Sequence, residues 1–249
     1  LKNVPNIADV HTMAGLLEYL GAEVEFKKNT LRITAKNLKN RTLTHDLVKK
    51  LRASILLLGP LVARFGEAKI AYPGGCVLGK RPVSAHFRVM EDLGATVTQD
   101  GEEFTVKATK GLKGVHTILE EASVTGTENA IMAATAAEGR TTLRWTAMEP
   151  HVQDLCVALV KMGAKIEGIG TATLRSNGPV ALHGIEHAIT ADYLEAGTFA
   201  LAAILTDGDI TITGVVPEHL DSFWQKIQTV GAELTFAKDS VRVRRKKDK

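Results

Sequence analysis

The segment PHVQDLCVALVKMGA, residues 150–164, shows the pattern that decides the fold of this chain. Its apolar residues recur every three or four positions back from Gly163, as they do on one face of an amphipathic helix. Pro150 suits the first turn of such a helix, as Pro5 and Pro217 do in the equivalent segments, and Gly163 suits the left-handed position just after the last turn. The segment therefore predicts a helix, and the residues after it, 165–167, are predicted to form a strand.

The same helix ending occurs four times, with its glycines 73, 69 and 68 residues apart. The four endings are Leu20-Gly21-Ala22, Leu93-Gly94-Ala95, Met162-Gly163-Ala164 and Val230-Gly231-Ala232. In three copies a second helix and strand come first, so one unit reads helix–strand–helix–strand–strand. A repeat of this length indicates an α/β array in which neighbouring units share a core. We count three and a half units, and the first copy begins at a strand-to-helix join.

Composition excludes several classes of protein. The net charge of +3 over 249 residues does not favour nucleic acid as a bulk partner. The longest uncharged apolar stretch, residues 53–62, is too short to span a bilayer. Two cysteines indicate a reducing compartment rather than a disulfide framework. The sequence has no Walker motif, no dinucleotide-binding glycine pattern and no metal-ligand spacing.

One copy of the repeat carries an insertion between its first strand and its second helix. Pro82 comes 16 positions after Gly66, whereas the corresponding prolines of the later copies come 11 and 9 positions after their glycines. The inserted loop, Pro73–Pro82, combines glycines with Cys76, Lys80 and Arg81. A basic glycine-rich loop ahead of a helix favours an anion site, because free backbone N–H groups and the helix dipole add to the positive charge. A plain surface loop is the alternative.

Other polar residues each have two interpretations. His86 stands where the other copies are apolar, so it is either a core histidine or a residue that orients the loop or a ligand. Arg52 lies in a helix predicted across residues 47–62, off the apolar stripe of that helix, and is either solvated or directed at a ligand. Thr125 and Glu128 form a capping-box pattern or part of a polar ledge. Cys156 is predicted to lie in the core.

Taken together, these motifs resemble those of the UDP-N-acetylglucosamine enolpyruvyl transferases along the whole chain. The motifs that carry the resemblance are Asp46-Leu47-Val48, Arg52-Ala53-Ser54-Ile55, Leu58-Gly59-Pro60-Leu61-Val62-Ala63-Arg64-Phe65-Gly66, Pro73-Gly74-Gly75-Cys76, Gly79-Lys80-Arg81-Pro82-Val83, Leu112-Lys113-Gly114, Ser123-Val124, Glu149-Pro150 and Glu195-Ala196-Gly197-Thr198. The related shikimate-pathway enolpyruvyl transferases lack the Gly-Gly-Cys loop. The resemblance to them is therefore ranked well below the resemblance to the UDP-N-acetylglucosamine enzymes.

The resemblance implies an inside-out α/β barrel of repeated βαβαββ units, incomplete in this chain. It implies a repeat domain over residues 1–190, which bears the loop, and the start of a second domain over residues 191–249. The family's early lysine–asparagine pair would precede Leu1, and its sugar-binding aspartate and later arginines would follow Lys249. We therefore expect this chain to lack part of the fold at both ends and to turn over little substrate alone.

The resemblance also implies a reaction, the transfer of the enolpyruvyl group of phosphoenolpyruvate to the 3-hydroxyl of UDP-N-acetylglucosamine. The implied roles are proton donation by Cys76, anion contacts by Arg52 and Arg81, a nucleotide-sugar site lined by Pro82, Val83, Ser84, Ala85, Ser123 and Val124, and support from Lys80 and His86. Many members have an aspartate where this chain has Ser84, and some have a lysine where it has Glu121. Tyr193 of this chain replaces an arginine of the family's Asp-Arg-Ile-Glu segment.

We expect no metal and no cofactor. The expected partners are the two small-molecule substrates, with no nucleic acid and no membrane, and the expected location is the cytoplasm. A non-catalytic repeat module that binds a nucleotide sugar or a protein partner is the rival interpretation. The loop cysteine favours the enzyme, because a pure binding module has no need of it.

Overall fold

The computed structural model describes residues 1–74 and 82–246, and the chain forms two compact units, Leu1–Ile189 and Thr190–Lys249. That the two units are separate domains of the whole protein stays a prediction. The helices of the first unit are α1 (Ala8–Tyr19), α2 (His45–Val48), the 3-10 helix Arg52–Leu57, α3 (Leu58–Phe65), α4 (Ser84–Asp92), α5 (Val124–Ala134) and α6 (Pro150–Lys161). Its strands are β1 (Glu23–Lys27), β2 (Thr30–Thr34), β3 (Glu67–Ala71), β4 (Thr96–Asp100), β5 (Glu103–Lys107), β6 (His116–Ile118), β7 (Gly139–Arg144), β8 (Lys165–Glu167) and β9 (Thr173–Gly178).

The second unit holds one copy of the repeat. Its elements are α7 (Tyr193–Leu205), β10 (Asp209–Thr213), the 3-10 helix Pro217–Leu220, α8 (Asp221–Thr229), β11 (Ala232–Ala237) and β12 (Ser240–Arg245). A small core of its own includes Trp224, Ile227, Val241 and Val243. The predicted order of helix, strand, helix, strand and strand is confirmed in this copy.

The first two strands, β1 and β2, form a two-stranded sheet, and the other three sheets in the described residues repeat one topology. The strand orders are β3-β5-β4, β7-β9-β8 and β10-β12-β11, so the last strand of every copy lies between the two earlier ones and runs antiparallel to both. A further strand, β6, pairs in parallel with β7. The glycines at the four helix endings have φ between +93° and +108°, the left-handed conformation that the sequence predicted.

Helices fill the interior of the first unit and strands cover it. α5 is buried along almost its whole length, and α3, α4 and α6 pack against it. The outer strands keep one face exposed, as in β1 with its alternation of exposed and half-buried residues. A helical core under sheets is the predicted inside-out arrangement.

Two local predictions were wrong. The helix predicted across residues 47–62 is broken into α2, a 3-10 helix and α3, since Leu51 adopts an extended conformation between the first two. Of the prolines predicted in first turns, Pro150 alone starts an α-helix in the described residues, whereas Pro5 precedes α1 by three residues and Pro217 starts a 3-10 helix. Local spacing indicated helix correctly but did not reveal where tertiary packing interrupts it.

No helix in residues 1–74 and 82–246 is long and apolar enough to cross a membrane.

Candidate functional site

Arg52 lies at the start of its 3-10 helix and reaches both sides of the inserted loop. Its Nη1 donates to the carbonyl of Pro73 at 3.3 Å and its Nη2 to the carbonyl of Pro82 at 3.2 Å. The guanidinium carbon also lies 5.5 Å from the ring centroid of Tyr72, within cation–π range. The direction of this side chain could not be predicted from the sequence. In the structure it points to the two ends of the loop.

Three predicted site residues lie inside that loop. Cys76, Lys80 and Arg81 fall outside the described residues, so their predicted roles stay predictions.

The first turn of α4 follows directly on the loop. Pro82 and Ser84 are exposed, while Val83 and Ala85 are buried against the core. This alternation presents the Ser84 side chain and the Pro82 ring to solvent at the start of a helix, where the free N–H groups lie.

The start of α5 lies beside the start of α4. Ser123 is the N-cap of α5, and its Oγ accepts from the N–H of Gly126 at 3.2 Å. A Cβ added to Gly126 would come within 3.5 Å of Ala85 Cβ and within 3.0 Å of Ser123 Oγ, so the two helices approach closely at this residue. The structure therefore brings the predicted residues 82–85 together with Ser123 and Val124. We call this surface, Pro82–Ala85 with Ser123–Val124, the platform.

The capping box predicted at Thr125 and Glu128 was wrong, because the cap is supplied by Ser123. Thr125 instead bonds with His86 Nε2 at 3.2 Å. His86 is 3% exposed, and burial, followed by the nearby charge of Arg52, lowers its pKa to about 4. The core-histidine interpretation of His86 is therefore confirmed, since the ring is buried and bonds to Thr125 in the first turn of α5. A role of His86 in orienting the loop or a ligand stays a prediction.

A third helix start joins the first two. The hydroxyl of Thr127, on α5, accepts from the N–H of Ala147 at 3.0 Å, which fixes the segment leading to α6 against α5. The starts of α4, α5 and α6 thus lie near one another. Helix N-termini carry partial positive charge, and with Arg52 they favour an anionic ligand such as a phosphate ester.

Sequence reasoning missed a buried carboxylate next to this surface. Glu128 is 7% exposed, and burial and the charge of Glu149 raise its pKa to about 7. Glu149 is the N-cap residue of α6, and its Oε2 is buried without a hydrogen-bond partner among the described residues. The signal in the sequence was that Glu128 is the one charged residue of the segment 124–134, which therefore has no charged face that solvent would cover.

Cys156 was predicted to lie in the core, and this is confirmed. It has no exposed surface, and burial, with a smaller effect from Glu128, raises the pKa of its thiol to about 11. Such a thiol stays protonated at neutral pH and is a poor nucleophile.

A helical interior, covered by sheets of one repeated topology and exposing clustered helix starts, defines the enolpyruvyl transferase fold. Residues 1–249 match the EPSP synthase (3-phosphoshikimate 1-carboxyvinyltransferase) family, and the chain belongs to this family of transferases.

Relatives and solved structures agree with this assignment. The chain is 46% identical over 247 residues to the UDP-N-acetylglucosamine 1-carboxyvinyltransferase of Koribacter versatilis (strain Ellin345), covering 98% of the chain and 57% of the relative. It is 42% identical over 250 residues to UDP-N-acetylglucosamine 1-carboxyvinyltransferase 1 of Staphylococcus aureus (strain MRSA252), covering 100% and 59%. The crystal structure of the enolpyruvyl transferase NikO from Streptomyces tendae matches with a TM-score of 0.84 at 23% identity, over 98% of this chain and 59% of that one. An EPSP synthase from Acinetobacter baumannii matches with a TM-score of 0.70 at 20% identity, over 95% and 56%.

The chain thus spans less than three fifths of the length of these relatives. Because the two solved structures are only 23% and 20% identical to this chain, their similarity shows the fold alone.

Proposed function

We propose that the protein transfers the enolpyruvyl group of phosphoenolpyruvate to the 3-hydroxyl of UDP-N-acetylglucosamine and releases phosphate. The support is the similarity of 98% of the chain to relatives named UDP-N-acetylglucosamine 1-carboxyvinyltransferase. In this proposal the reaction is the first committed step of peptidoglycan synthesis, it takes place in the cytoplasm, and it uses no metal or cofactor.

The chemistry proceeds by addition and then elimination. The oxygen of the sugar hydroxyl bonds to C2 of the enolpyruvyl group while its methylene carbon, C3, takes up a proton. The resulting intermediate loses a proton from C3, the C2–O bond to phosphate breaks, and the C2–C3 double bond is restored. The hydroxyl proton leaves, and inorganic phosphate is the second product.

We assign the first proton transfer to Cys76, on the family resemblance. A thiol whose ordinary pKa is about 8.5, lowered by nearby cations and a helix start, titrates close enough to neutral pH to move a proton efficiently. Lys80 and Arg81 would supply those cations. Cys156, buried and with a raised pKa, does not compete for this role.

The described residues have a separate part in the proposal. The platform receives the nucleotide sugar, with Pro82, Val83, Ser84 and Ala85 on one side and Ser123 and Val124 on the other. Arg52 and the clustered helix starts favour the phosphate groups of the substrates. The observation that carries this assignment is the position of Arg52, whose guanidinium joins the carbonyls of Pro73 and Pro82 at the two ends of the reactive loop.

Binding by the 249-residue chain tests the proposal. Isothermal titration should detect UDP-N-acetylglucosamine, with weaker binding of UDP-glucose, which lacks the N-acetyl group, and no binding of shikimate 3-phosphate. Arg52→Ala should weaken binding by about tenfold, equal to about 1.4 kcal/mol, because a charge-assisted contact and the support of the loop ends are both lost.

Arg64 provides a matched control for Arg52. It also donates to a backbone carbonyl, that of Ala35 at 2.8 Å, and lies 6.0 Å from an aromatic ring, that of Phe65. It belongs to the last turn of α3, so Arg64→Ala should leave binding unchanged. Binding of shikimate 3-phosphate in place of the nucleotide sugar would overturn the proposal in favour of the other branch of the family.

A further inference from the structure

A buried side-chain network lies beneath the platform, and Asn129 is its centre. Asn129 belongs to α5 and has no exposed surface. Its Oδ1 accepts from the N–H of Gly59 at 2.8 Å, and its Nδ2 donates to the carbonyl of Ile55 at 2.9 Å. The same Nδ2 lies 2.8 Å from Nδ1 of His86. The oxygen and both hydrogens of the amide are therefore engaged.

These contacts fix the protonation of His86. A backbone N–H can only donate, so the contact with Gly59 identifies Oδ1, and the NH₂ group must face His86. Nδ1 of His86 then accepts, and the proton of the neutral ring sits on Nε2. Nε2–H is directed at the hydroxyl of Thr125, 3.2 Å away.

The network connects the two halves of the platform. His86 is the residue after Ala85, in the first turn of α4, and Thr125 is two residues after Ser123, the N-cap of α5. Next to this bond, Gly126 allows α5 to approach Ala85 without a side chain between them. The His86–Thr125 bond therefore sets the spacing and rotation of one helix start relative to the other.

Stability alone does not explain why polar groups occupy this position. An apolar side chain of similar volume would avoid the cost of removing an amide and an imidazole from water. A fully bonded network gains directionality instead, since only one arrangement of its members satisfies every donor and acceptor.

We propose that Asn129 is a positioning residue for the nucleotide sugar: it holds His86 in the Nε2–H tautomer, and through His86 and Thr125 it fixes the geometry of the platform. Asn129 does not touch the ligand. The inference rests on the proposed function, because it takes the platform to be the nucleotide-sugar site.

Asn129→Asp is the sharpest test. The carboxylate keeps an acceptor for Gly59 but replaces the NH₂ group with an oxygen, so His86 should move its proton to Nδ1 or take up a second one. Nitrogen-15 NMR of the imidazole reports this directly, because Nδ1 becomes protonated in either case. Titration with UDP-N-acetylglucosamine should show a dissociation constant raised by about tenfold or more, as expected when site geometry relaxes.

A second variant guards against misfolding. Thr125→Val removes the hydroxyl that accepts the hydrogen bond from His86 Nε2–H, at a half-buried position where loss of the fold is less of a risk. It should weaken binding in the same direction, and Thr125→Ser should restore it. Ile131→Val, on the same helix and buried but outside the network, should lower stability without changing binding.

The outcomes separate this inference from the proposed function. If the unmodified chain does not bind the nucleotide sugar, the proposed function fails and the positioning role fails with it. If the unmodified chain binds and folded Asn129→Asp and Thr125→Val bind equally well, the positioning role alone is overturned. It is also overturned if the imidazole signals of His86 do not respond to Asn129→Asp, or if Ile131→Val weakens binding to the same extent.

Discussion

Helices α5 and α7 occupy the same place in their repeat units but differ in what surrounds them. Each is followed by a glycine and then by the first strand of its unit, β7 or β10. α5 is buried on nearly every side, including three consecutive polar residues, Thr127, Glu128 and Asn129. α7 buries a narrow face, and its large exposed side chains are Leu194, Phe199, Leu201 and Leu205.

The difference reflects the number of repeat copies around each helix, because the first unit packs several copies around α5 whereas the second unit holds one copy. Both helices are rich in apolar residues, yet one is enclosed by α3, α4 and α6 while the other packs mainly on its own sheet. Enclosure is what gives the polar residues of α5 their low exposure and raises the pKa of Glu128. A polar group at the same place on α7 would remain solvated.

The largest expected effect contrasts apolar truncations in the two helices. Ile131→Ala, at a residue with no exposed surface, should lower the free energy of unfolding by about 2–5 kcal/mol, because it leaves a cavity. Leu205→Ala, at a residue that is 79% exposed, should change it by no more than about 0.5 kcal/mol. Hydrogen exchange of the α5 and α7 amides assigns each effect to its unit, and a cost at Leu205 equal to that at Ile131 would contradict the comparison.

Enclosure also predicts two opposing effects of pH on stability. The unfolded chain loses the Glu128 proton near the ordinary pKa of 4.5 and the folded chain near about 7, so stability falls by about 1.4 kcal/mol for each pH unit across this window. The unfolded chain binds a proton on His86 below the ordinary pKa of 6.5 and the folded chain only below about 4, so stability falls as the pH drops through that window. The two slopes oppose one another between 4.5 and 6.5.

Glu128→Gln should reveal how His86 contributes to the pH dependence of stability. Urea unfolding at several pH values should show this variant rising in stability from about pH 4 to 6.5, and exceeding the unmodified chain by up to about 3 kcal/mol above pH 7. Thr198→Ser, an uncharged change on the exposed face of α7, is the control and should leave the pH profile unaltered. Equal profiles for Glu128→Gln and the unmodified chain would show that Glu128 is ionised in the folded state.

The sequence predicted the parts of the fold that depend on local conformation. Gly21, Gly94, Gly163 and Gly231 end their helices with positive φ, because only glycine adopts that conformation without strain. The strand that follows each of these glycines was predicted from the same repeat. The resemblance to a known family predicted which residues meet at the platform, and the structure brings residues 82–85 to Ser123 and Val124.

The tertiary environment of the polar residues could not be predicted from spacing. Arg52 was placed in a continuous helix, and only the break at Leu51 turns its guanidinium towards Pro73 and Pro82. Glu128 and Asn129 are polar residues on a helix whose enclosure comes from three other helices distant in sequence. Burial of this kind depends on how helices pack together, so it cannot be predicted from the spacing of residues along one helix.

A smaller effect is expected in the strands that follow the two helices. Thr141 on β7 has no exposed surface, and its hydroxyl lacks a partner among the described residues; it lies opposite Ser176, whose hydroxyl is in the same condition. The equivalent position on β10 is Ile210. Thr141→Val should therefore stabilise the chain by about 1 kcal/mol, since it removes an unsatisfied polar group without changing volume. Ile210→Thr should have the opposite sign, and a destabilised Thr141→Val would indicate an ordered water between the two hydroxyls.

The smallest contrast lies at the helix starts, where both helices are capped but by different chemistry. Ser123 Oγ accepts from Gly126 N at 3.2 Å in α5, and Asp192 Oδ1 accepts from Leu194 N at 2.8 Å in α7. Replacing either residue with alanine should cost about 1 kcal/mol, because an N–H group of the first turn loses its partner. Asp192 also places a negative charge at a positive helix end, which adds about 0.3–1 kcal/mol and is screened by salt. The cost of Asp192→Ala should therefore fall as sodium chloride is added, whereas the cost of Ser123→Ala should not. Asp192→Asn keeps the cap and removes the charge, so it should lose only the part that depends on salt. If Ser123→Ala showed the same salt dependence as Asp192→Ala, the effect would come from the general field of the chain rather than from the capping charge.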